Sequence, residues 1–284
     1  MKRISYEEAA RTGALLRPAR SRSGMAGPWV SRPVRYGYDL LHTLVARDIT
    51  LRYKGSALGL AWSLVNPLAQ LLVYYFVFGL LLPLNIPHYA SFLLSGVLAW
   101  NWFQSSLLLA TGAVVDNREL IRRPGFPVGV LPAVTVTSHF IHFLLALPVL
   151  WLCLRSDHLG LTTAVLSLPA VIAVQFILTL GFAYGVALLH VPFRDTQYLL
   201  GIALQLLFFL TPIFYDVAAV PEPYRGLLQL NPLVHLLAAY RAILMEGRLP
   251  DFYVLSGLAL VAVMALAAGY VLFTRARFRF ADEL

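Results

Sequence analysis

The apolar positions fall into long unbroken runs and do not alternate with polar ones. Between Lys54 and Asp116 no residue is Asp, Glu, Lys or Arg, and further charge-free stretches run from Pro124 to Leu154, His158 to Phe193, Thr196 to Tyr215 and Phe252 to Thr274. A hydrocarbon core about 30 Å thick takes roughly 20 apolar residues of helix to cross. The first interval is too long for one crossing and suits two, joined at Pro83, Asn85, Pro87 and His88. The pattern predicts an all-α membrane protein with six transmembrane helices, at about residues 59–82, 89–115, 128–154, 161–189, 196–215 and 252–274.

Other segments are helical in pattern but do not cross. Tyr38, Leu41, Leu44, Val45 and Ile49 recur at helical spacing opposite Asp39, His42, Thr43, Arg47 and Thr50, which predicts an amphipathic helix over 35–55 lying at the headgroups. Such a helix either anchors the chain or also docks a partner. Upstream, residues 1–34 are rich in Arg, Ser, Gly and Pro and read as a mobile segment. After the second span, Asp116 is placed to cap a helix with Glu119 three residues on, and Pro124 ends it within about two turns. This short charged helix is either a solvated connector or a contact surface. Leu120 and Ile121 favour the second, as apolar residues without an evident local core. Between the fifth and sixth spans, Asn231 and Pro232 open a mostly apolar helix ending near Gly247, too short to cross and read as re-entrant. Residues 276–284 form a tail.

Composition agrees: 59% of the 284 residues are apolar, 13% are charged and the mean hydropathy is +0.73. That leaves too little polar surface for a soluble enzyme. A net charge of +8 suits nucleic acid or a membrane face, and position decides between them. Eleven of the 22 basic residues precede the first span. With six spans, 18 of the 22 fall on the side of the termini and only Arg155, Arg225, Arg241 and Arg248 on the other. The positive-inside rule then places both termini in the cytoplasm, with no role for nucleic acid. No apolar stretch precedes Leu58, so no cleavable signal peptide is expected. Cys153 is the only cysteine, which excludes an intrachain disulfide.

The chemistry that the chain lacks is informative. A phosphate-binding loop ends in Gly-Lys-Ser/Thr, but the only lysines are Lys2 and Lys54, neither preceded by glycine. ATP hydrolysis by that route is not expected, nor is a catalytic or metal centre. The predicted spans carry no Asp, Glu, Lys or Arg to couple an ion gradient. His139 and His142 lie three apart in the third span and either relay a proton, bind a metal or pack with hydrogen bonds. The best acidic and basic pairs, Arg194 with Asp195 and Asp216 with Glu222, sit at loop ends without a supporting cluster. Aromatic residues gather at the outer half of the first span (Tyr74, Tyr75, Phe78) and of the fifth (Phe208, Phe209, Phe214, Tyr215). They read either as an interfacial belt, as do Trp100, Trp102 and Trp151, or as the wall of a pathway that stacks against sugar rings.

The stretch Arg47-Asp48-Ile49-Thr50-Leu51-Arg52-Tyr53-Lys54, continuing through Leu58-Gly59 and Trp62 to Asn66-Pro67-Leu68 and Phe76-Val77-Phe78-Gly79, resembles the permease subunits of ABC-2 type polysaccharide exporters. Leu120-Ile121-Arg122 with Phe126-Pro127, Phe193-Arg194-Asp195, Thr211-Pro212-Ile213-Phe214-Tyr215, Asn231-Pro232-Leu233 and Tyr240-Arg241 extend the resemblance to about Arg248. It implies a homodimer bound to two copies of a separate ATPase that holds ATP and Mg, in the bacterial inner membrane. The implied cargo is undecaprenyl-pyrophosphate-linked polysaccharide, O antigen first among the types. Asn117, Arg118, Glu119, Leu120, Ile121, Arg122 and Arg123 then look like the helix that couples to the ATPase. Tyr38, Leu41, Val45, Arg47, Asp48 and Arg52 look like the interface helix. The first and fifth spans would line the channel, and Arg52, Lys54 and Arg194 are candidates to attract the pyrophosphate. A drug or lipid exporter, or a flippase or scramblase acting alone, are the alternatives.

Overall fold

The computed structural model describes residues 32–56, 59–123, 125–160 and 162–283. Two units are distinguished, Met1–Tyr36 and Gly37–Leu284, and of the first only the start of a helix is described. The segment expected to be mobile therefore lies outside the described residues up to residue 31. Among the described residues every regular element is helical.

Helix α1 (Arg32–Tyr53) precedes α2 (Trp62–Tyr75), which continues as π-helical turns over Phe76–Leu81. Then come α3 (Tyr89–Gly112), the single turn α4 (Arg118–Ile121), α5 (Val130–Ser156) and α6 (Leu168–His190). The chain ends with α7 (Thr196–Leu210), α8 (Glu222–Gln229), α9 (Pro232–Leu244) and α10 (Phe252–Glu283). Among the described residues five helical stretches are long and apolar enough to cross a membrane, Trp62–Leu81, Tyr89–Gly112, Val130–Ser156, Thr163–His190 and Phe252–Arg277, or six if the bent pair Glu222–Gln229 and Pro232–Leu244 counts as one.

The expected fifth span is shorter than its charge-free run. At 15 residues α7 rises only about 22 Å, short of a full crossing. Pro212 is the cause. It disfavours the α region at the residue before it, and Thr211 is extended at φ −106° and ψ 131°. Past this break the chain folds into α8 and α9, bent 96° to each other. The Asn231 side chain accepts the Leu233 N–H at 3.0 Å and Pro232 occupies the first turn of α9, so this helix starts where the sequence places it. At the other end, α10 does not stop at the membrane edge. It runs to Glu283, so the expected tail is helix up to that residue, in keeping with Arg and Ala as good helix formers.

Helix α3 sits at the centre, buried on nearly all sides from Tyr89 to Thr111. Trp100 and Trp102 are 4% and 2% exposed, so they are core residues and not the interfacial belt expected of them; Trp151, at 45%, faces outward. Helices α6 and α10 cross at glycine. A Cβ on Gly181 would lie 2.6 Å from the carbonyl carbon of Ala265, and Gly269 stands against the Gly181 carbonyl. Without water between helices, such small-residue contacts are a main source of association in a bilayer.

Candidate functional site

The two predicted aromatic groups come from opposite ends of the domain sequence and meet at one point. Tyr74 of α2 stacks on Phe208 of α7 and on Phe214, just past it, with ring centroids 5.8 and 6.4 Å apart. Phe78 stacks on Phe214 at 5.0 Å, and Phe208 on Phe214 at 5.8 Å. Trp100 closes the cluster from α3, edge-on to Phe208 at 5.6 Å. The remaining candidates flank it. Tyr75 turns toward Tyr89, Phe209 is 57% exposed beside Phe208, and Tyr215 donates its hydroxyl to the Phe209 carbonyl at 3.1 Å. The π-helical turns at Phe76–Leu81 lie within this cluster, a helix variant frequent at functional sites.

The break after α7 is held from three sides. Arg241 of α9 donates from Nη2 to the Ile213 carbonyl at 3.0 Å, with its guanidinium carbon 3.5 Å above the Phe92 ring. Tyr89 donates to the Phe214 carbonyl at 3.0 Å, and Asn231 Nδ2 donates to Thr211 Oγ1 at 2.9 Å. A Cβ on Gly96 would come within 3.1 Å of both Arg241 Nη2 and the Ile213 oxygen, so glycine there makes room for the clasp. Little in the sequence announces this role for Arg241. It reads as one of four outer-side charges, and only its place in an otherwise apolar helix distinguishes it.

The charged loop differs in detail from expectation. Among the described residues it forms a single helical turn, Arg118–Ile121, preceded by a 3-10 turn at Val115–Asn117. Asp116 does not cap it. The N-cap is Asn117, without a side-chain capping bond, and its Nδ2 donates back to the Ala113 carbonyl at 3.0 Å. Pro124 lies outside the described residues. Ile121 does have a local core: it packs on the cluster of Val114, Val115, Tyr184, Ala187, Val191 and Phe273. Leu120 is half-buried, while Arg118, Glu119, Arg122 and Arg123 are exposed.

Helix α1 lies against this loop. Leu44, Arg47, Asp48 and Leu51 form a cleft with Ala113, Asn117, Leu131, Val134 and Thr135. Val45 is buried and Leu41 half-buried, but Tyr38, expected on the same face, is 69% exposed. At the far end of α1, Arg52 pairs with Asp48 at 3.5 Å and donates to His139 Nε2 at 3.3 Å, while Tyr53 Oη lies 3.4 Å from the His142 ring nitrogens. Arginine has no acceptor, so Nε2 of His139 must accept. Both histidines are thereby tied to α1 as packing groups. Burial raises the Tyr53 hydroxyl above its ordinary range, so it keeps its proton at neutral pH. Arg52 lines a cavity of about 440 Å³ between α1, α2, α3 and α5; Lys54 and Arg194 do not. Both are exposed, Arg194 in the turn between α6 and α7.

Residues 39–245 match the family model of the ABC-2 type transporter. The chain belongs to that family. Among relatives of this ABC-2 chain, the O-antigen export system permease protein RfbA of Myxococcus xanthus is 37% identical over 247 residues, 86% of this chain and 95% of that protein. The protein of the same name from Klebsiella pneumoniae is 32% identical over 252 residues, 88% and 96% of the two chains. The polysialic acid transport protein KpsM of Escherichia coli is 26% identical over 249 residues, 84% and 95%. The ABC-2 match begins within α1 and ends just past α9, so it takes in the interface cleft, the charged loop, the aromatic cluster and the Arg241 clasp together.

Proposed function

We propose that this chain is the membrane subunit of an ATP-driven exporter that moves undecaprenyl-pyrophosphate-linked polysaccharide, O antigen in the first instance, across the bacterial inner membrane. Two copies work with two copies of a separate ATPase that holds ATP and Mg. Both termini lie in the cytoplasm, as the 18 to 4 division of basic residues supports. The names and near-full-length similarity of the O-antigen permeases support the cargo.

The aromatic cluster between α2 and α7 is the observation that carries the reading. Ring faces stack on the CH-rich faces of sugars, and here they come from the first and the fifth apolar segments. In this structure they close on one another. ATP-driven closure of the partner pushes on the Asn117–Arg123 loop, α1 carries the push to α3 and α5 through its cleft, and α2 separates from α7. Arg52, Lys54 and Arg194, at the cytoplasmic face, attract the pyrophosphate.

Replacing Tyr74 and Phe214 together by Ala tests it. Cells carrying the variant with its ATPase should lose surface polysaccharide and accumulate the lipid-linked precursor inside, at wild-type levels of membrane insertion. Wild-type surface polysaccharide would leave the cluster as ordinary packing.

A further inference from the structure

The cavity beside Arg52 sets several polar groups among apolar ones in a bundle that is otherwise largely apolar. It lies between the end of α1, the start of α2 and the middle of α3 and α5, two to three turns along α2 from Tyr74 of the aromatic cluster. Its volume of about 440 Å³ falls in the roughly 300–1,000 Å³ range of small-ligand pockets and is far too small for a polymer. Arg52 supplies its cation, and the contacts to Asp48 and His139 use only part of the guanidinium's donor set. Asn66, Asn101 and Ser105 supply neutral amide and hydroxyl groups, and Trp62, 52% exposed, supplies a ring face. Among the described residues neither Asn66 nor Ser105 has a protein hydrogen-bond partner. Asn101 and Ser105 are half-buried and Asn66 is exposed at the mouth, and polar groups placed among membrane helices are costly, with a substrate path their usual reason. Asn66 also precedes Pro67, a proline within α2 that interrupts its hydrogen-bond ladder beside the cavity.

We infer that this cavity is a docking chamber for the head of a glycosylated lipid phosphate, taking the phosphate on Arg52 and the first sugar on Asn66, Ser105 and the Trp62 ring, before the polymer enters between α2 and α7. The inference rests on the export reading. It divides the work of α2 along its length: the first turns recognise the lipid-proximal end of the cargo, and the turns from Tyr74 onward stack on the sugars that pass. A phosphate alone is shared by every anionic lipid, so the neutral groups are what distinguish the cargo from its solvent.

The test is lipid binding to the purified full-length chain in detergent, followed by native mass spectrometry. The probes are a polyprenyl pyrophosphate bearing one N-acetylhexosamine, the bare polyprenyl phosphate, and phosphatidylglycerol. The sugar-bearing lipid should bind about tenfold tighter than either of the others, the effect of one or two well-made hydrogen bonds. Asn66→Ala with Ser105→Ala should erase that preference, and Arg52→Gln should weaken all three lipids where Arg52→Lys partly restores them. Equal binding of the three probes would overturn the chamber, since an adventitious lipid contact gives that result. So would an unchanged preference in the double variant. To separate binding from folding, Ser105→Cys in a Cys153→Ser background is labelled with a bulky maleimide after purification. Selective binding that survives the label also overturns the proposal. Deleting the protein in cells keeps the two readings apart. Normal surface polysaccharide in the deletion, with selective binding in vitro, sinks the export reading alone; lost polysaccharide with unselective binding sinks the chamber alone.

Discussion

Gln175 shows how single polar residues hold α9 in place. It is 1% exposed, its Nε2 donates to the Ala99 carbonyl at 2.8 Å, and its Oε1 accepts the Tyr240 hydroxyl at 2.8 Å. One side chain thus joins α6, α3 and α9. Because an unpaired buried polar group costs about 1–3 kcal/mol, removing one partner should hurt more than removing both. Tyr240→Phe strands the Gln175 oxygen, and Gln175→Leu strands the tyrosine hydroxyl. Thermal unfolding in detergent should rank both single variants below the Gln175→Leu, Tyr240→Phe double, with a coupling of about 1 kcal/mol or more. Additive losses would mean that the pair is not a closed network. None of this was legible in the sequence, where Gln175 is one polar residue in a long apolar run. The same holds for Arg241, whose partner is a backbone carbonyl that no side-chain pattern announces. The aromatic candidates were legible as two groups, but not that Tyr74 and Phe78 touch Phe208 and Phe214. Their contact depends on how α2 and α7 pack around Trp100, which periodicity does not specify.

At the level of elements, the runs of apolar residues placed the helices well because the bilayer admits almost nothing else. They failed where backbone chemistry intervenes: Pro212 ends α7 early, and α10 continues past its last apolar residue because nothing stops it. The charged loop was foreseen as a helix, but its cap and its core were misjudged. Asn117 spends its side chain on Ala113, and Ile121 has a packing site formed by α6 and α10, which arrive from far along the chain. That correction changes the experiment. Ile121→Asp would set a carboxylate against the cluster that holds Val114, Tyr184 and Phe273 and should lower stability by about 1–3 kcal/mol, confounding any functional result. Leu120→Asp avoids that core. It should leave the unfolding temperature within a few degrees of wild type while reducing export, with ATP hydrolysis by the partner persisting. Export at wild-type rate would remove this loop from the coupling path. The α6–α10 crossing gives a second prediction. In Gly181→Leu the side chain meets the Ala265 backbone, which cannot move aside, so the two helices must separate. Overpacking of this kind costs about 1–3 kcal/mol or more and should appear as lower thermal stability and lower yield from the membrane. An unchanged unfolding temperature would mean that the crossing adapts.

For the whole molecule, the distribution of exposed apolar surface separates two kinds of face. Leu72, Val73, Phe76 and Leu80 of α2 are at least half exposed, as are Leu199, Ile202, Leu206 and Phe209 of α7. Leu260, Val263, Met264 and Leu272 of α10 are equally exposed. Lipid satisfies any such face, so exposure alone assigns no partner. The aromatic cluster breaks the tie, because it lies on the α2 and α7 side. In one chain it is a closed stack, and the proposed polymer path needs a second wall. In the dimer proposed above, a second copy facing the first across α2 and α7 would supply that wall and leave α10 toward lipid. Single cysteines in a Cys153→Ser background distinguish the faces. Val73→Cys and Leu206→Cys should give covalent dimers in native membranes on mild oxidation, and Leu260→Cys and Met264→Cys should stay monomeric. The reverse pattern would put the dimer contact on α10 and separate the aromatic cluster from any shared conduit. Cross-linking should also respond to the nucleotide state of the partner. If α2 and α7 part when the ATPase closes, the yield at Val73→Cys should fall on adding a non-hydrolysable ATP analogue, whereas a rigid interface would hold it constant.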